Sequence, residues 1–339
     1  MKFIIKFLLI LLILGLVLAA AGFFMGMNME ELRTFFDDDD SYGEQIVVTV
    51  EDEISALVID AQTRHIKLTT TDLEVMTVKY YKHERDTYTI SDATPGVYQL
   101  VQKERYQFFS FVRFKVVSKE ILTIDIEIPS TWLLDLTLST NIGEISLNYD
   151  NIIAFKNLEL DSNTGSIYVK NVTIDSFLGD VDTGAITVIN ATVSGDLRAK
   201  TSTGKITLDD IHAVDFNLST STGAIQITGI TGRDLKVGVS TGRVTATDVT
   251  LTGKIDLTTS TGDLILSDFT ANSVILYTST GEIKVTVNTL NLYKLDLKTS
   301  TGKVVVDGNN QGNRHTTSLG SIDLKATAST GDIKIIVQG

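Results

Sequence analysis

The stretch STGKITL, residues 202–208, returns with small changes as STGAIQI from Ser221, STGDLIL from Ser260, STGEIKV from Ser279, STGKVVV from Ser300 and STGDIKI from Ser329. The glycines of this motif are Gly143, Gly165, Gly184, Gly204, Gly223, Gly242, Gly262, Gly281, Gly302 and Gly331, spaced by 22, 19, 20, 19, 19, 20, 19, 21 and 29 residues. A period near 20 residues held this long marks an array of stacked units, none of which closes a core alone.

Parity says what the units are made of. Counting back seven, five, three and one from Gly242 gives Leu235, Val237, Val239 and Thr241, and from Gly281 gives Val274, Leu276, Thr278 and Thr280. Polar residues such as Lys236 and Ser240 stand between them. Alternation with period two is strand. Counting forward two and four gives Ile206 and Leu208, Ile225 and Ile227, Leu264 and Leu266, Ile283 and Val285. Across the glycine the apolar phase jumps by three, which a straight strand cannot do, so each STG is predicted to be a corner between two strands. A third inward contact is expected about seven residues after the glycine, at Val172, Ile211, Ile230, Val249 and Phe269. The predicted fold is all-β: a parallel β-solenoid of rungs of about 20 residues, its sheets wrapped around a dry interior, preceded by one transmembrane helix.

The N-terminus carries that helix. Phe3 to Met27 is apolar apart from Lys6, long enough to span a bilayer, with Lys2 and Lys6 at the end expected to stay in the cytoplasm. The rival is a cleaved signal peptide with LAAAG as its site. The apolar run continues through Phe23, Phe24 and Met25, which favours an uncleaved anchor. Residues 1–27 are read as the anchor and 28–44 as an acidic juxtamembrane spacer. Asp37 to Asp40 lack the spacing and turn glycine of a calcium loop and read as part of that spacer. Residues 45–139 are a less regular β region with an aromatic hairpin insert, flanking the first rungs, and 140–339 are the regular array. The expected location is the cell membrane, single-pass, with the array outside the cytoplasm.

The anchor, the IEIPS before the array and the S-T-G-[DE]-[IL] corners resemble a bacterial family of unknown function whose members are called "putative adhesins". The resemblance covers residues 45–339 and implies an extracytoplasmic β-solenoid, sometimes linked to envelope-stress systems. Three corners, Asn141-Ile142-Gly143, Asn163-Thr164-Gly165 and Asp182-Thr183-Gly184, depart from the motif while keeping a small polar residue two before the glycine.

Composition and columns bear on function. The chain has 339 residues, no cysteine and a net charge of −13. Disulfides, thiolate metal sites and a lipid-bearing cysteine are excluded, and without a basic stripe nucleic acid is not an expected partner. The column two before the glycine is mostly serine, yet none of His65, His83, His212 and His315 falls in it, which argues against a serine nucleophile. Threonine-array ice binding is set aside on parity, which puts Thr278, Thr280, Thr299 and Thr301 inward. The one acidic cluster joins Glu159, Asp161, Asp180 and Asp182; it reads either as a weak candidate cation site or as a face offset by Arg198 and Lys200 one rung on. No catalytic residue and no cofactor is assigned. The expectation is a membrane-anchored binding, adhesion or scaffolding module without catalysis, contacting cell-wall glycan or an envelope protein. The alternatives are an accessory of an envelope-stress signalling system and a glycan-active β-helix enzyme. The final DIKIIVQG reads as an apolar strand without a cap, expected to self-associate or to dock a partner unless the loop from Gly308 to Ser321 folds over it.

Overall fold

The computed structural model describes residues 41–91, 93–104 and 117–338. The expected membrane span and the aspartate run lie outside them. Among the described residues, no helix is long and apolar enough to cross a membrane.

The chain begins with β1 (Ile46–Val50), β2 (Ala56–Ala61), β3 (His65–Thr71), β4 (Met76–Tyr80), β5 (Asp86–Ser91), β6 (Val97–Glu104) and β7 (Thr123–Pro129). The repeats follow, two strands to a rung: β8 (Asp135–Ile142) and β9 (Ile145–Ala154), then β10 (Asn157–Thr164) and β11 (Ile167–Ile174). Ten strands from Ser176 to Thr270, β12 to β21, continue the alternation to β22 (Ser273–Thr280) and β23 (Ile283–Val287). The chain ends with β24 (Tyr293–Thr301), β25 (Val304–Val306), β26 (Asn309–Asn310), β27 (Arg314–Thr316), β28 (Ile322–Thr330) and β29 (Ile333–Val337). From β8 to β23 the first strand of each rung joins one long parallel sheet and the second joins the other. One sheet has 15 strands and the other 14.

Like residues stack on like across rungs. Ile167 aligns with Ile186, Ile186 with Ile206 and Ile206 with Ile225. On the facing sheet the column runs Leu158, Phe177, Leu197, Phe216, Leu235. These side chains are all but sealed from solvent. The large ring of Phe177 is accommodated because Gly179, two residues on, leaves its inward position empty: a Cβ there would lie 3.0 Å from the ring.

The motif glycine is required by close approach. Nine of the ten have φ between +135° and +159°, a region L-residues with side chains rarely adopt. A Cβ on Gly223 would sit 1.8 Å from the carbonyl oxygen of Gly204, and one on Gly242 would sit 1.7 Å from that of Gly223. Corner therefore rests directly on corner, tied by Gly204 N–H donating to Thr222 O and Gly223 N–H to Thr241 O, both at 2.9 Å. The buried residue three before the glycine adds a second tie. Thr201, Thr220, Thr259, Thr278 and Thr299 donate their hydroxyls to corner carbonyls of the neighbouring rung at 2.8–3.3 Å, as Ser162 does to Gly143. A buried hydroxyl thus finds a partner and the corner carbonyl a second donor.

One parity expectation fails here. Thr278 and Thr299 are buried, but Thr280 and Thr301 are exposed, as is every residue one before a motif glycine. The strand turns outward a residue earlier than strict alternation allows, because the glycine backbone must lie against its neighbour.

A second bend lies six residues after the glycine. Asn171, Asn190, Asp210, Asp248 and Asp268 all have φ between +49° and +60°, the left-handed region that Asn and Asp tolerate best. Gly229, with φ +64°, takes the same place in its rung. That single kinked residue shifts parity, so the inward residues Val172, Ile211, Ile230 and Val249 follow it, buried, while Phe269 packs half-buried on the core. The first interval is three residues longer than the usual 19, and those residues form a bulge: Lys170 aligns with Asn148 but Val172 with Ile153.

Rungs are not laid down in sequence order at either end. β2 and β3 lie between the β8–β9 rung and a first rung made of β6 and β7. At the far end β28 and β29 insert between β22–β23 and β24–β25. This corrects the expected open C-terminus. β29 pairs on one side with β23 and on the other with β25, so the final strand is interior. The terminal rung is β24–β25, and the polar loop after it lays β26 and β27 antiparallel along both its strands. At the opposite end β4 and then β1 extend one sheet, and β5 the other, all antiparallel.

Candidate functional site

The corners bring two exposed columns to one edge of the stack. Two before the glycine stand Asn141, Asn163 and Asp182, followed by serines at every later corner; one before it stands Ile142, followed by threonines. Lateral bonds join some neighbours: Asn163 Nδ2 donates to Asn141 Oδ1 at 3.3 Å and Ser202 Oγ to Asp182 Oδ1 at 3.4 Å. Among the described residues, most of these hydroxyls face solvent without a side-chain partner.

The acidic cluster forms as the columns require, with Asp161 aligned to Asp180. Burial pushes the Asp161 carboxyl above its ordinary range, and Asp180, Asp182 and Glu159 add to the shift. Lys200 answers it, its Nζ 3.0 Å from Asp180. Arg198 does not: its guanidinium turns to Asp196 at 3.1 Å, because Leu178 and not a carboxylate stands beside it in its own column. Among the described residues, no group of three or more histidine, aspartate or glutamate side chains is close enough together to hold a metal ion. The histidines are scattered: His65 Nδ1 accepts from Glu144 N–H at 3.0 Å, and buried His83 accepts from Arg85 N–H at 3.1 Å.

Alternation and spacing had not singled out the most buried charges. Arg64 stands at the corner position of the β2–β3 rung, where a Cβ on Gly143 would meet its carbonyl. Its guanidinium pairs with Asp86, and both side chains are at most 2% exposed. Arg64 Nη1 also donates to Thr63 O at 2.8 Å and Nε to Tyr88 Oη at 3.2 Å. Asp86 further accepts from His83 N–H and Gln102 Nε2. Burial pushes the Tyr88 phenol up to about 12, so it stays protonated and donates to Tyr81 O. Every charged oxygen and most donors of the pair are thus satisfied, as burial of an ion pair demands. The cluster ties the first rungs together, joining the start of β3 to β5 and β6 through buried polar contacts.

The Toastrack DUF4097 family matches the chain twice, over residues 54–267 and 180–339. The chain belongs to that family. No curated protein matches it. Among solved structures this Toastrack chain is similar to a "putative adhesin" from Bacteroides fragilis NCTC 9343, at 13% identity over 87% of this chain and 99% of that one, with a TM-score of 0.37. It is also similar to a "putative cell adhesion protein" from Clostridium sporogenes ATCC 15579, at 10% identity over 87% and 99%, with a TM-score of 0.20. Neither likeness is close enough to carry an argument about fold or activity. The resemblance read from the STG corners holds at the level of the family.

Two open concavities lie on the Toastrack array. A cleft of about 300 Å³ opens where Gly238 leaves a gap in an outer column, between Ser219, Ser240, Thr258 and Lys200. Another of about 330 Å³ lies at the C-terminal rung, between Lys294, Asp296, Arg314, Asp323 and Lys325. The first is lined by hydroxyls with Val239 among them, the second by charges of both signs around Leu295 and Leu324.

Proposed function

We propose that this Toastrack chain is an extracytoplasmic binding module that works without catalysis. The apolar segment Phe3–Met27 holds it at the membrane, and the stacked rungs make extended contact with cell-wall glycan or an envelope protein. One observation carries the reading: the exposed hydroxyl columns beside the corners, repeated at the strand spacing of about 4.8 Å along the regular part of the stack. A repeated ligand can bond to such a row many times, each bond weak and the sum useful. The mixing of charges, with Lys200 against Asp180 and Arg243 against Asp263, supports polar adhesion over a groove of one sign.

The experiment is co-sedimentation of the purified full chain with isolated cell-wall material and, separately, with membranes of the same cells. The triple variant S221K/S240K/S260K changes only exposed positions. It is expected to lose sedimentation with the cell-wall material while keeping its circular dichroism, the membrane arm being held by Phe3–Met27 in both forms. Undiminished sedimentation of that variant with the cell-wall material would overturn the reading.

A further inference from the structure

We propose that β1 is a docking edge for an extended polypeptide segment that carries basic residues next to an apolar stretch, and that the segment joins the sheet as an added antiparallel strand. The proposal does not depend on the hydroxyl columns.

Among the described residues β1 is the outermost strand of the 15-stranded sheet, paired on one side only, with β4. Its sequence, Ile46-Val-Val-Thr-Val50, has no charge, proline or glycine to discourage pairing. The other three outermost strands are blunted. β26 and β27 are two and three residues long and polar, and β5 intersperses threonines and ties its Asp86 to Arg64. Ile46, Val48 and Val50 lean on the core half-buried, while Val47 is 54% exposed. An arriving strand with apolar residues at alternate positions would complete the burial of the first set, and its backbone would take up the free N–H and C=O groups of the edge.

Charge decides what arrives. Beyond Val50 come Glu51, Asp52 and Glu53, all exposed, and Glu74 lies exposed in the turn from β3 to β4 beside them. Glu44 is exposed at the other end. None of these five is in an ion pair among the described residues. A second copy of β1 in antiparallel register about Val48 would set Asp52 against Glu44 twice over, so a homodimer is disfavoured by the same charges that attract lysine or arginine.

The test uses the full chain in detergent micelles and two labelled probe peptides of alternating valine and threonine, one flanked by lysines and one by glutamates. Fluorescence anisotropy at low salt is expected to show the lysine-flanked probe binding about tenfold more tightly. Hydrogen exchange should show new protection at residues 46–50. The variant E51K/D52K/E53K alters exposed side chains only and should invert the preference. A lysine-flanked probe N-methylated at alternate residues should lose binding, because methylation removes the ladder donors while keeping charge. Equal binding of the two probes, a preference unmoved by the reversal, protection elsewhere than 46–50, or a dimer by light scattering that the probe does not dissociate would each overturn the proposal.

Discussion

Replacing Gly223 and Gly238 by alanine, one at a time, sets the corner argument against itself. Gly223 is the corner that follows the strand Asp215–Thr222, and Gly238 lies inside the strand Asp234–Thr241 of the next rung. At Gly223 φ is +155° and the new Cβ falls 1.8 Å from Gly204 O. Holding a non-glycine residue in that region costs about 1–3 kcal/mol. Moving the corner away from its neighbour stretches the hydrogen bonds from Gly204 N–H to Thr222 O and from Gly223 N–H to Thr241 O, each worth about 1 kcal/mol. The expected loss for G223A is about 4 kcal/mol. At Gly238 nothing lies within 4 Å of a Cβ and φ is not in the left-handed region. G238A should therefore stabilise by about 0.5–1 kcal/mol, by restricting the unfolded chain. Denaturant titration of each variant, followed by far-ultraviolet circular dichroism, gives both numbers. The single tryptophan, Trp132, 6% exposed just before β8, reports on the early rungs alone. In G223A its transition should separate from the dichroism transition, since a stack couples only through neighbours. Equal and small effects of the two substitutions would refute the claim that corner glycines are set by backbone approach.

Three further outcomes follow from the same geometry. T278V keeps shape but removes the donor to Gly262 O at 3.1 Å and should cost about 1 kcal/mol, whereas V239T, at a buried position of the same column, should be neutral or better; denaturation midpoints measure both. R64M strands the buried Asp86 carboxylate and should cost about 3–5 kcal/mol, most of it recovered in R64M/D86L, read in the same titration. The Asp161 carboxyl is raised by burial and by its acidic neighbours, so its ionised form opposes folding: the penalty is complete above the folded value and absent below the unfolded one. D161N should accordingly stabilise at neutral pH by a few tenths of a kcal/mol, given solvent screening, and the gain should vanish on acidification below about pH 3.5, seen in melting temperature against pH.

Much of this was legible beforehand because a solenoid repeats its constraint. Each pair of apolar residues two and four after a glycine reports the same inward face, and ten copies average out local noise. The second bend had a signal that parity alone did not use. Asn171, Asn190, Asp210, Asp248 and Asp268 occupy one phase, and these are the residues that adopt positive φ. Rung order was not legible, because the pattern of each rung is satisfied equally by any neighbour. Whether β28 stacks on β22 or on β24 depends on loop reach and on which rung leaves its edge to a polar cap, and the period contains neither. Arg64 was missed for a related reason: at an array's end a corner need not be glycine, since no carbonyl from a further STG corner presses on it.

The early outward turn at Thr280 and Thr301 changes what the motif means. Were threonine one before the glycine an inward residue, STG would be purely architectural and its repetition would say nothing about the surface. With that threonine exposed, two of the three letters lie on the outside, and only the glycine and the buried hydroxyl three before it are fixed by stacking. A corner needs just a small polar residue at its outer positions, as Asn163-Thr164 and Asp182-Thr183 demonstrate within the same sheet. Stability alone therefore leaves the outer pair free to vary, yet it is Ser-Thr at seven successive corners. A row uniform beyond what packing requires is what contact with a repeating partner would maintain, and it is the reason the co-sedimentation variants are placed on those serines.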